Sequence, residues 1–232
     1  MQLTRIRTIT ARLRLETGLL IGAGDSEMHI GGVDKQVIRH PLSNLPYIPG
    51  SSLKGKMRSL LEWKTGAVQE KPLGLADLDR ANGAQKEAIK AIVQLFGVSG
   101  DAQLTEERAR EIGPTRLSFW DCELSPAWLQ EVESLNLGLT EVKSENSINR
   151  ITGVAVAPRF FERIPAGATF DFRLSLKVLD EEDLLPTVLA GLRLIELDSL
   201  GGSGSRGYGK VKFVDLEVDG EAVTLPADPF SA

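Results

Sequence analysis

Positions 9, 11, 13 and 15 are Ile, Ala, Leu and Leu, while Thr10, Arg12, Arg14 and Glu16 fall between them. A period of two sends alternate side chains to opposite faces, so this segment predicts a half-buried strand. The stretch "ATFDFRLSLKV" is more regular still, with apolar residues at every even position from Ala168 to Val178 and polar ones between. A third strand, "YGKVKFVDLEV", changes its apolar face between Phe213 and Val214, which predicts a bulge.

Two segments change to a helical period. After "IPGSS", where Ser51 or Ser52 could cap, Leu53, Met57, Leu60 and Leu61 make one apolar stripe. Lys54 and Arg58 share its flank, one turn apart. The second helix follows the acidic "DEED", carries Pro186 in its first turn, and sets Leu185, Val188, Leu189, Leu192 and Ile195 at core spacing. It stops before "GGSGSRGYGK". Residues 66–112 are polar and rich in Ala, Glu, Lys and Arg, with helical runs in "AQKEAIKAIVQLFG" and "TEERAREI", and predict a helical insertion.

The order strand, helix, insertion, strands, helix, glycine-rich loop, strand predicts a single α+β domain over 1–232, helices packed on one face of an antiparallel sheet. A ferredoxin-like, RNA-recognition-type βαββαβ core is the simplest match. Segments 115–123 and 145–165 have only weak periodicity.

Composition narrows the classes. With 232 residues and 42% hydrophobic content the chain can bury one good core. No apolar run approaches the ~18 to 20 residues of a membrane span, and the alternating start "MQLTRIRTITARLRLE" is unlike a signal peptide, so the expected location is cytoplasmic with no membrane partner. The single Cys122 cannot form an internal disulfide and reads as a small buried hydrophobe. The net charge of -5 hides a polarity: residues 1–64 hold ten basic and five acidic side chains, leaving seventeen and twenty-seven for the remainder. One basic face for nucleic acid within an otherwise acidic surface fits that distribution.

The glycine-rich segments carry the chemistry. "IGAGDSEMHIGG" lacks the Lys-Ser/Thr of a mononucleotide loop, and alone reads as a turn between strands. In "GGSGSRGYGK" the main chain is nearly bare, so N–H groups can approach phosphates while Arg206 adds a charge. Ser51, Ser52, Lys54, Arg58, Gly202, Gly204, Ser205, Arg206 and Gly207 together suggest a phosphate-backbone site built from a helix start and a glycine loop. The plainer alternative makes Lys54, Lys56 and Arg58 a solvated helix face.

The segments "LETGLLIGAG", "GGVDKQVIRHP", "LPYIPGSSLKGKMRSLLE", "ENSINRITGVAVAPRFFERIPAG" and "GGSGSRGYGKV" resemble the repeated backbone subunits of type III-A CRISPR effector complexes, the Csm complexes of the RAMP superfamily. The resemblance covers nearly the whole chain outside 66–112. It implies a modified RNA-recognition fold, stacked head to tail along a CRISPR guide RNA with other Csm subunits, that cuts complementary target RNA once per copy using a divalent metal, Mg²⁺. It also implies that 66–112 forms a lid and that 149–163 forms a β-hairpin thumb, with Asn149, Arg150 and Arg159 among the RNA-binding residues. The catalytic aspartate of the family falls on Asp34, in a glycine-rich loop where its removal is expected to cost little stability. A lone carboxylate there could ligate hydrated metal or take the 2′-OH proton, and the sequence leaves both open. Two positions depart from the pattern: His40 stands where an acid is expected, and Leu20 where relatives often have histidine. A filament subunit that binds guide RNA without cutting is the alternative. A guide-processing nuclease fits less well, because His29 and His40 are the only histidines.

Overall fold

The computed structural model describes residues 1–24, 33–98 and 105–231. A five-stranded antiparallel sheet organises the chain, centred on β1 (Leu3–Leu15). On one side β1 pairs with β7 (Thr169–Leu179), setting Ile9 opposite Leu174 and Leu13 opposite Phe170. On its other side lies β8 (Val211–Val218), with Leu13 opposite Phe213 and Leu15 opposite Val211. The short strand β3 (Leu117–Phe119) extends the sheet beyond β7, and β9 (Glu221–Ala222) beyond β8, giving the order β3-β7-β1-β8-β9.

The period-two expectations hold. Ile9, Leu13, Leu15, Phe170, Phe172, Leu174 and Leu176 all point into one core and are buried. The bulge in β8 is present: between the pairs Thr10/Glu217 and Arg12/Val214 the register slips, and Asp215 takes a left-handed φ of 51°. That extra residue lets Val211 and Phe213, then Leu216 and Val218, all face inward.

Helices α1 (Gly50–Thr65) and α6 (Leu185–Leu197) cover that face. Leu53, Met57 and Leu61 of α1 and Val188, Leu192 and Ile195 of α6 are buried as their spacing predicts. Gly191 lets the two helices pack closely, since a Cβ there would lie 2.4 Å from Met57 Cε. The helix start differs from expectation. Pro49 is the N-cap, Ser51 and Ser52 sit inside the first turn, and the Gly50 N–H donates to Asp121 Oδ1 at 2.7 Å. An aspartate 71 residues away does the capping expected of the serines.

The insertion is helical: α2 (Leu75–Arg80), α3 (Gly83–Phe96) and α4 (Glu106–Ile112) enclose a small cluster of Leu73, Leu78, Ala81, Ile89, Val93 and Ile112. Ile92, Leu95 and Phe96 on the other side of α3 join the main core, so the insertion is anchored to the body. Helix α5 (Pro126–Ser134), capped by Ser125, also packs there, and β2 (Tyr47–Ile48) pairs with β4 (Cys122–Glu123). Cys122 is fully buried; burial pushes its thiol up to about 12, which keeps it protonated and inert.

A two-stranded hairpin, β5 (Glu141–Ile148) and β6 (Ala155–Arg163), stands apart from the main sheet. It starts eight residues earlier than the 149–163 segment expected, and Asn149 opens its tip instead of its first strand. The first strand, "EVKSENSI", is exposed along nearly its whole length and has no apolar alternation to announce it.

Candidate functional site

Asp34 lies on the segment that follows the first glycine-rich stretch and is docked along β6. Its N–H donates to the Phe160 carbonyl at 2.8 Å, and its carboxylate Oδ2 accepts the Phe160 N–H at 2.5 Å. The docking continues: Glu162 N–H donates to the Lys35 carbonyl at 2.9 Å, and Lys35 bridges Phe161 in parallel. Asp34 is therefore attached to the hairpin. Its Oδ1 has no protein partner among the described residues and faces an exposed surface. Residues 25–32, including His29 and most of the glycine-rich stretch, lie outside the described residues.

Glu162 secures the same segment from below. One oxygen accepts the Val37 N–H at 2.9 Å; the other accepts Arg39 Nη2 at 2.6 Å and the Thr140 hydroxyl at 2.8 Å. Burial works to raise this carboxyl, but those three donors and the Arg39 charge outweigh it and hold the group below its ordinary range. Neither Glu162 nor Arg39 stood out in the sequence, because their pairing spans 123 residues. His40 is structural: its Nδ1 accepts the Leu42 and Ser43 N–H groups at 3.3 and 3.4 Å. Leu20 is buried in the core.

The second glycine loop lies against the start of the first. Gly202 N–H donates to the Leu20 carbonyl and Gly209 N–H to the Gly18 carbonyl, at 2.8 and 2.9 Å. Gly201 and Gly209 have φ of 73° and 70°, and Cβ atoms there would meet the Leu20 and Leu200 carbonyls at 2.4 and 1.9 Å. Only glycine fits so close a backbone approach. Within this loop Gly202, Ser205, Arg206 and Gly207 are exposed and Gly204 half-buried, in a single 3₁₀ turn over Gly204–Arg206.

Arg206 does not stand free. It pairs with Glu145 of β5, donates to Ser203 Oγ at 2.6 Å and lies over the Phe161 ring. The other Glu145 oxygen accepts the phenol of Tyr208, which is fully buried, at 2.7 Å. Burial, then the Glu145 hydrogen bond, push that phenol up to about 12. Lys143 and Arg163 both lie over the Tyr208 ring, at 4.5 and 5.0 Å from its centre. Three cations thus converge where the glycine loop meets the base of the hairpin. Lys143, Arg163, Glu145 and Tyr208 were missed in the sequence, since the segment that carries the first three lacks periodicity.

The two basic residues of α1 part company. Lys54 is half-buried, with no ion-pair partner among the described residues. Arg58 turns to the insertion: Nε donates to Glu62 at 2.8 Å, Nη1 to the Gly97 carbonyl at 3.1 Å and Nη2 to the Leu73 carbonyl at 2.8 Å. Glu62 also accepts the Leu73 N–H at 3.1 Å. The guanidinium ties Leu73 and Gly97 of the insertion to α1, so at least three of its donors are engaged inside the fold where the sequence suggested a phosphate ligand. Lys56 pairs with Asp198 at 2.5 Å, tying α1 to the residues just before the glycine loop.

On the hairpin, Arg150 and Arg159 are exposed and make no ion pair among the described residues. The Asn149 side chain is used internally, accepting the Ile151 and Thr152 N–H groups at 2.9 and 3.1 Å to close the tip. Among the described residues no group of three or more His, Cys, Asp or Glu could hold a metal ion. One Asp34 oxygen is all this segment offers, which suits only a metal whose other ligands come from elsewhere.

The sequence matches the model of the RAMP superfamily over residues 12–212. It is 44% identical over 215 residues to the CRISPR system Cms endoribonuclease Csm3 of Streptococcus thermophilus, covering 90% of this chain and 87% of the relative. The protein of the same name from Methanothermobacter thermautotrophicus is 39% identical over 228 residues, covering 90% and 84%. A solved Csm3–Csm4 subcomplex of the type III-A CRISPR-Cas interference complex superposes with a TM-score of 0.56 at 27% identity, over 94% of this chain and 80% of that one.

Proposed function

The chain belongs to the RAMP superfamily and, within it, to the Csm3 endoribonucleases, and from that premise we propose that it is the target-cleaving backbone subunit of a type III-A CRISPR interference complex. Its partners are guide RNA, target RNA, further copies of itself and other Csm subunits, in a cytoplasmic assembly. The order β3-β7-β1-β8, with α1 and α6 on one face, supports reading the body as an RNA-recognition-type ferredoxin-like core. The helical insertion serves as a lid and the β5–β6 hairpin as the thumb.

The observation that supports cleavage is the hold of the hairpin on Asp34. Phe160 fixes one carboxylate oxygen and leaves Oδ1 exposed beside the strand that would meet the duplex. Internal attack on RNA needs a 2′-OH in line with the scissile phosphorus, removal of its proton, and charge stabilisation on the phosphate. On this reading Asp34 Oδ1 either takes that proton or would help ligate a divalent ion, Mg²⁺. Bound there, the ion would supply charge neutralisation and a lowered 2′-OH pKa. Orientation falls to this chain's own residues. Glu162 and Arg39 fix the Asp34 segment, and Lys54, the start of α1 and the 201–207 loop hold guide phosphates, with Ser51, Ser52, Gly202, Gly204, Ser205, Arg206 and Gly207 lining that path. Arg150 and Arg159 extend the contact along the hairpin.

The test is reconstitution with a guide RNA and a complementary labelled target. Regularly spaced cuts that vanish with a chelator, while target binding persists, are expected. Binding without any cuts would leave the non-cutting filament as the better account.

A further inference from the structure

Arg206 is the one cation of the glycine loop, yet in the RNA-free chain its charge is already met by Glu145 of β5. A phosphate arriving at the loop must therefore compete with a carboxylate. We propose that Glu145 is a resident counter-ion of the guide-binding loop, holding Arg206 until a guide phosphate takes its place and so tying occupancy of the loop to the base of the hairpin. This rests on the reading of residues 201–207 as a phosphate-binding loop.

The surroundings of Glu145 are built for exchange. Its other oxygen accepts the buried Tyr208 phenol, and Lys143 Nζ lies 3.9 Å from that same oxygen. When Arg206 leaves, the carboxylate keeps a hydrogen bond and a cation, so it is not stranded as a buried unpaired charge. The nearby Arg163 is engaged by Glu141 at 2.7 Å and does not compete for it. Arg206 is half exposed, while Glu145 is 15% exposed, so the guanidinium is the partner able to turn outward. Its stacking over Phe161 and its bond to Ser203 set a short arc for that turn. Glu145 is also held ionised: burial opposes its charge, but the Tyr208 hydrogen bond and Arg206 outweigh burial and lower its pKa.

A counter-ion and a simple clamp predict opposite signs. Glu145→Gln keeps an acceptor for the Tyr208 phenol and removes the charge that holds Arg206. If Glu145 competes with phosphate, the variant binds an unstructured single-stranded RNA about two- to five-fold tighter than the unmodified chain, the equilibrium equivalent of one exposed ion pair. The gain shrinks at high salt and disappears in an Arg206→Ala background. Unchanged or weaker binding by a folded Glu145→Gln chain would show a clamp and overturn the proposal. A second readout needs no variant: the carboxyl ¹³C resonance of Glu145 in the unmodified chain must move as RNA is titrated. A resonance that stays put at saturating RNA overturns the proposal as well. Failure of the underlying reading looks different, because Arg206→Ala would then leave RNA affinity unchanged.

Discussion

Asp34 and Phe160 hold each other by two reciprocal hydrogen bonds, the Asp34 N–H donating to the Phe160 carbonyl at 2.8 Å and the Phe160 N–H to Asp34 Oδ2 at 2.5 Å. The pair splits the usual alanine experiment into two questions. Asp34→Ala removes both the charge and the acceptor for Phe160, and should cost about 1 kcal/mol of stability, a typical net hydrogen bond. Asp34→Asn keeps an acceptor and should melt within a degree or two of the unmodified chain. Both should bind guide and target normally and lose cleavage by orders of magnitude, because the missing charge acts in the transition state. Normal cutting by Asp34→Asn would remove the carboxylate from the chemistry.

Glu162 gives a pH dependence with a definite sign. Its folded pKa is depressed below the ordinary 4.5, so its contribution is complete above that value and is lost as pH falls through the lower folded value. Denaturation of Glu162→Gln at neutral pH should show a loss of about 2 kcal/mol, as for hydrogen bonds to a charged group. The gap between variant and unmodified chain should hold down to about pH 5 and close in stronger acid. A gap that widened in acid would mean the carboxyl is protonated in the folded chain.

Arg58 and Lys54 sit one turn apart on α1 and should behave as different kinds of residue. Arg58→Ala leaves Glu62 buried without its cation, and should cost about 3 kcal/mol and open the 66–112 insertion to protease. Lys54→Ala should leave stability within about 0.5 kcal/mol and lower RNA affinity for all sequences alike, flattening the salt dependence by about 0.7 log unit per lost phosphate contact. Equal effects of the two on the salt slope would restore Arg58 to the phosphate site.

What the sequence made legible was whatever one face of an element must bury. β1, β7 and the stripes of α1 and α6 announce themselves because Leu13, Phe170, Met57 and Leu192 recur at the period of their own element. The bulge at Asp215 could be read for the same reason, as a break in that period. β5 could not, since a ribbon polar on both faces leaves no pattern. The site depends on partners far apart in the chain: Asp121 for Gly50, Phe160 for Asp34, Glu162 for Arg39. No local spacing encodes them. Arg58 is the exception, for Glu62 stands four residues on and was the available sign that its charge was taken.

The hairpin carries its own test in Ala157. Between the pairs Glu145/Arg159 and Ser147/Val156 the second strand holds one residue more than the first, and Ala157 takes a φ of 51° just before Pro158. A side chain in the left-handed region costs about 1 to 2 kcal/mol, partly returned as entropy on replacement by glycine. Ala157→Gly should therefore leave stability equal or higher by up to about 1 kcal/mol and keep the cutting pattern. Deleting Ala157 instead restores a regular ladder and turns Val156 and Ala155 to the opposite faces, re-aiming the tip that carries the fully exposed Ile151. The start of α1 and the 201–207 loop lie outside the altered turn, so guide binding should persist apart from the contact assigned to Arg150 at the tip. If the hairpin spaces the cuts, target RNA should then be cleaved at altered positions or not at all. An unchanged ladder of products from the deletion chain would show that spacing is set by the body of the subunit, with the hairpin a bystander.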